Sequence, residues 1–152
     1  SHPQQLRDLQ AAAPTLGMAI HGLEIRQASD IDKAFGTIAK ERIEALLLLG
    51  DVLLSIHQRK IAEFALNKRL PAMYTIRAFV DAGGLITYGT HFPDMWRRAA
   101  TYVDKILKGA KPADLPIEQA SRFELILNLK TAKALGLTIP PAVLLRVDQA
   151  IE

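Results

Sequence analysis

The sequence predicts an α/β fold, a three-layer doubly wound parallel sheet with helices on both faces. Short apolar runs alternate with longer segments of helical periodicity, the pattern of strand–helix–strand units. The clearest run, Ala45-Leu46-Leu47-Leu48-Leu49 before Gly50-Asp51, is apolar at every position, as a strand covered on both faces is. The length of 152 residues, with 49% hydrophobic and 23% charged, suffices for one buried core.

Each element follows from its own residues. Leu6, Leu9, Ala12 and Ala13 lie at helical spacing and predict a helix over 4–16, with Pro3 at its start and Gly17 at its end. Ile20, Leu23 and Ile25 predict a strand over 20–25. Ser29-Asp30 caps a second helix, striped by Ile31, Ala34, Phe35, Ile38, Ala39 and Ile43. After the strand at 45–49, Leu53, Ile56, Ile61, Phe64 and Ala65 predict a helix over 53–69. Its Lys68-Arg69 end complements the helix dipole. Strands at 71–75 and 85–89 flank a loop containing Gly83-Gly84. A helix over 94–108 carries Trp96, Ala99, Ala100, Val103, Ile106 and Leu107 on one stripe and stops at Gly109. Residues 111–116, with two prolines, form an extended connector. A strand at 123–128, a short helix at 129–135 and a last helix from Thr138 through Ile151 complete the chain.

Composition removes several function classes. The net charge of +3 is spread along the chain without a basic tract, and aromatics are only 6%, so no nucleic-acid partner is expected. With no cysteine there is no disulfide, thiolate metal site or cysteine nucleophile. No apolar run approaches the roughly 20 residues of a membrane span. The histidines His2, His21, His57 and His91 form no metal-ligand pair. Asp51, Ser55 and His57 suggest a triad, yet Ser55 and His57 are two apart on a helix and diverge by about 200°. No glycine-rich phosphate loop follows a strand. The expectation is a binding protein with neither catalytic residues, metal nor cofactor.

What remains is a rim. Ligands of open α/β sheets sit beyond the carboxyl ends of the strands. Here those ends carry Asp51, Arg77, Phe79 and Tyr88. An acid, a guanidinium and two aromatics suit a small zwitterion or carboxylate. The ordinary alternatives are a helix cap for Asp51 and a solvated loop charge for Arg77.

Several stretches together carry a family resemblance. They are Phe79-Val80-Asp81-Ala82-Gly83-Gly84-Leu85-Ile86-Thr87-Tyr88-Gly89, then Lys105-Ile106-Leu107-Lys108-Gly109-Ala110-Lys111-Pro112, then Asn128-Leu129-Lys130-Thr131-Ala132-Lys133-Ala134-Leu135-Gly136. The chain resembles the ABC-type solute-binding proteins of the tryptophan/tyrosine-type uptake family. That resemblance implies a type I periplasmic binding fold, in which two α/β lobes joined by crossover strands close on a solute. It also implies a membrane permease as partner, a periplasmic or extracytoplasmic location and no enzymatic activity. Such proteins are about twice as long. The resemblance sets Ser1-His2-Pro3 just after the second lobe's opening strand, so the chain reads as a C-terminal fragment. Residues 1–89 would be second-lobe core, 90–116 a crossover helix and connector of the first lobe, and 117–152 the return strand and C-terminal helices. A fragment of this kind leaves the helix from Asp94 without its cover, which favours a homodimer or a swapped assembly. The competing function is a ligand-sensing or interaction module of a regulatory protein.

Overall fold

The computed structural model of the chain describes residues 3–152, which form two compact units, the first ending at Glu44 and the second spanning Ala45–Glu152. Ser1 and His2 lie outside the described residues. In the first unit, α1 (Pro3–Ala12) runs into a 3-10 turn that Gly17 closes in the left-handed region at φ 67°. The second helix, α2 (Ala28–Lys40), begins after Gln27. Asp30 lies in its first turn and reaches back, accepting from the Arg26 and Gln27 N–H groups at 3.2 Å each and from Lys33 Nζ at 2.9 Å. Those bonds, Lys33's above all, hold the Asp30 carboxyl at about 2. The strand expected at 20–25 does not form: residues 18–26 join no ladder, and this unit contains no strand among its described residues. Alternation supplies an apolar face, but a strand also needs a neighbour for its backbone groups.

The second unit holds one five-stranded sheet. Its strands are β1 (Leu46–Leu47), β2 (Ala72–Tyr74), β3 (Ile86–Thr90), β4 (Phe123–Asn128) and β5 (Gln149–Ile151), side by side in chain order. Neighbours are parallel, with Leu47 opposite Met73, Tyr74 opposite Thr87 and Ile126 opposite Gln149, except that β3 and β4 are antiparallel. The doubly wound α/β fold forms as expected, as a mostly parallel sheet with this one antiparallel pair. The excursion between β3 and β4 leaves and re-enters at one end of the sheet, where the His91 N–H donates to the Arg122 carbonyl at 3.0 Å. A chain that returns at the end it left must run back antiparallel.

Three helical expectations also change. The helix over 53–69 is two helices, α3 (Val52–Ile56) and α4 (Gln58–Asn67), broken at His57. There the His57 N–H donates to the Leu54 carbonyl at 3.1 Å, a bond three residues back that tightens the last turn and ends α3. The loop after β2 contains a one-turn helix, α5 (Ala78–Asp81). The last helix is only α8 (Pro141–Leu144), because β5 takes the edge of β4. Asp148 secures that pairing: its N–H donates to the Leu125 carbonyl at 2.9 Å and its carboxylate accepts from the Leu125 N–H at 2.7 Å. The long helix, α6 (Phe92–Leu107), and the short α7 (Leu129–Ala134) form where expected.

Strand alternation sends Tyr74, Thr87 and Ile126 to one face and Ile86 and Leu127 to the other. On the first face Phe79 of α5 stacks on Tyr74, with ring centroids 4.6 Å apart. On the second, Leu127 packs with Leu85 and Ala132 of α7, flanked by Leu135, Ile139 and Val147. Helices therefore cover both faces, and the carboxyl ends of β1, β2 and β3 point to a common edge.

Candidate functional site

That edge is tightly drawn together. Thr75, the residue after β2, lies between two glycines. A β-carbon on Gly50 would sit 2.8 Å from Thr75 Oγ1, and one on Gly89 only 2.0 Å from the Thr75 carbonyl oxygen. Bare α-carbons at 50 and 89 thus let three strand ends converge. The Thr75 hydroxyl is buried there without a hydrogen-bond partner, and so is the Tyr74 hydroxyl one residue earlier. Burial pushes the Tyr74 phenol up to about 12.

The four candidate residues occupy different surroundings. Asp51 is the N-cap of α3, and its Oδ1 accepts from the Leu53 N–H at 2.7 Å. Beside it, Val52 and Ile56 stand 78% and 72% exposed on α3. Arg77 precedes α5 and points along the sheet: Nε donates to Asp81 at 3.3 Å, and Nη1 donates to Gln149 of β5 at 2.6 Å. Among the described residues its Nη2 has no hydrogen-bond partner. Phe79 is 3% exposed and belongs to the core, locked against Tyr74. Tyr88 is exposed on β3 and stacks on Phe123 of β4, with centroids 5.7 Å apart. No hydrogen bond, ion pair or ring contact joins any two of the four. Asp51, Arg77 and Tyr88 are surface groups of one sheet edge and its flank, whereas Phe79 is a core residue of α5.

Sequence reasoning missed Thr75, Phe123, Gln149 and the apolar pair on α3. Gly50, beyond β1, and Gly89, near the end of β3, were the available signal for the convergence at Thr75. Gln149 was hidden by reading its segment as helix. Nothing at this edge assembles a reaction. Ser55 bonds a backbone carbonyl, and among the described residues no group of three His, Asp or Glu side chains is placed to hold a metal ion. An open edge with one carboxylate, one partly engaged guanidinium, exposed apolar side chains and a stacked aromatic pair can hold a small molecule by mixed polar and apolar contact.

Residues 2–151 match the profile of the family described as ABC transporter substrate binding protein. Comparison with curated proteins finds no match. Among solved structures, the chain is similar to a conserved domain protein from Vibrio cholerae O1 biovar El Tor, at 24% identity and TM-score 0.87, covering 97% of this chain and 49% of that one. It is similar to an ABC domain from Streptococcus pneumoniae solved in complex with L-Trp, at 25% identity and TM-score 0.86, covering 97% and 51%. A substrate binding protein with adhesive properties from Clostridium difficile, in a ligand-free open structure, aligns at 19% identity and TM-score 0.66, covering 97% and 49%. The chain spans about half the length of each.

Proposed function

The chain belongs to the family of ABC transporter substrate binding proteins, and from that premise we propose that it forms one lobe of a two-lobed solute-binding protein. This protein works outside the cytoplasmic membrane and hands its ligand to a membrane permease. No described helix is long and apolar enough to cross a membrane. The observation that carries the reading is the edge at β1, β2 and β3, a wall of polar, apolar and aromatic groups with no reacting constellation. In this reading residues 1–89 are second-lobe core, 90–116 cross to the other lobe and 117–152 return.

The ligand is a small organic solute of amino-acid or carboxylate type, a class supported by the L-Trp held by the pneumococcal relative. Asp51 meets a cationic group, Arg77 meets a carboxylate through its unbonded Nη2, and Tyr88 supplies a ring face. Calorimetry on the two-lobed protein carrying this chain tests it, titrating amino acids and small carboxylates. Arg77→Ala should weaken a carboxylate ligand by about 1.5–3 kcal/mol, the scale of a hydrogen bond to a charge. Unchanged affinity would remove Arg77 from the site. Absence of any solute among these classes would overturn the ligand assignment.

A further inference from the structure

Two neighbouring hydroxyls are buried without a partner among the described residues, and they lie in different surroundings. Tyr74 is wholly enclosed by the core, stacked on Phe79 and with Gly84 against its ring. Thr75, one residue on, is only half-buried, because β2 ends at Tyr74 and the chain emerges there at the edge. Its oxygen is closed off all the same. The hydroxyl is the part of the side chain turned toward Gly50: a β-carbon on that glycine would lie 2.8 Å from Oγ1 but 3.9 Å from the Thr75 β-carbon. The bare α-carbon of Gly50 thus leaves a seat for one atom, and in it the oxygen bonds nothing.

Packing alone does not call for a hydroxyl at this position. Valine has the shape of threonine and would fill the seat with a methyl group, whereas a buried hydroxyl without a partner is destabilising. Rotation of χ1 by one staggered well, about 120°, lifts the oxygen off Gly50 without moving the backbone. We propose that Thr75 is a specificity-determining residue of this edge, whose hydroxyl turns outward in the loaded protein and donates to a carboxylate oxygen of the solute. An ionised carboxylate only accepts, and an O–H bond to it is roughly twice as strong as one to a neutral oxygen. The turn exchanges an unpaired hydroxyl for a bonded one, so binding recovers what the empty protein forgoes. This role rests on the solute reading of the edge and adds to it a group that favours an acid over its carboxamide.

Calorimetry on the two-lobed protein carrying this chain tests it with the L-amino acids and, for each that binds, its carboxamide. Thr75→Val should weaken the acid by roughly 10- to 100-fold, the scale of a hydrogen bond to a charge, and the carboxamide by less than about threefold. Thr75→Ser keeps the hydroxyl and should hold the acid within about threefold of the original affinity. Without solute, Thr75→Val should unfold in urea at a midpoint no lower than the unaltered protein, because no bond is lost. A valine variant that binds the acid as before, or that weakens acid and carboxamide alike, would overturn the role of Thr75 and leave the solute reading in place. A lower midpoint would assign the hydroxyl to a structural bond and overturn it too. Binding of none of these amino acids by the unaltered protein would overturn the solute reading and this role with it.

Discussion

Thr75 shows how far single atoms set this edge. The β-carbon that alanine would add at position 89 falls 2.0 Å from a backbone oxygen, which cannot rotate out of the way as a side chain could. Gly89→Ala should therefore destabilise the fold by about 3 kcal/mol, at the upper end for overpacking, read as a lower urea midpoint with unchanged slope. A cost under about 0.5 kcal/mol would mean that the strand ends are not this close. Asp51 and Arg77 were legible as edge residues because their position follows from where the strands stop. Their hydrogen bonds were not, since Gln149 lies 72 positions from Arg77 in sequence. Phe79 read as a ligand aromatic because chain position reveals the end of the sheet but not whether a ring turns inward. The stack on Tyr74 settles its direction.

At the scale of elements, what the sequence made legible was periodicity within a segment, and what it hid was partnership between segments. The strand at 123–128 and the helices α6 and α7 carry their signal locally. The segment at 18–26 alternates without a neighbour and stays unpaired, whereas 149–151 looks helical and is drawn into the sheet by an open strand edge. The ties from α6 to residues 116–122, Arg98 to Glu118, Tyr102 to Pro116 and Asp94 to Arg122, were invisible for the same reason: Glu118 and Arg122 sit in a stretch with no periodicity. They have a pH signature. The Arg98 guanidinium, chiefly, holds the Glu118 carboxyl at about 2, below the roughly 4.3 of a free glutamate. A depressed carboxyl contributes stability that is complete above its unfolded value and is lost as pH falls through its folded one. Protection of α6 should hold down to about pH 4 and fall away toward pH 2, and Glu118→Gln should remove that acid step. An acid step that persists in the variant would assign it to another carboxyl.

For the molecule as a whole, the family match and the α6 surface point to a chain that presents two faces to other matter, a sheet edge and an apolar helix. Contiguous apolar faces seldom stay open on a monomer. We expect a second copy to cover α6 when this chain stands alone, as a homodimer or swapped assembly. Light scattering should give twice the chain mass, whereas a monomer with Trp96 still solvent-quenched would contradict it. The central claim is that the edge at β1, β2 and β3 is one wall of a solute site. Hydrogen exchange of the two-lobed protein with and without its solute tests this most directly. The account predicts slower exchange on binding at residues 50–56 and 75–77, with α8 and β5 unchanged. Protection that leaves 50–56 and 75–77 untouched and appears elsewhere in the chain would contradict it.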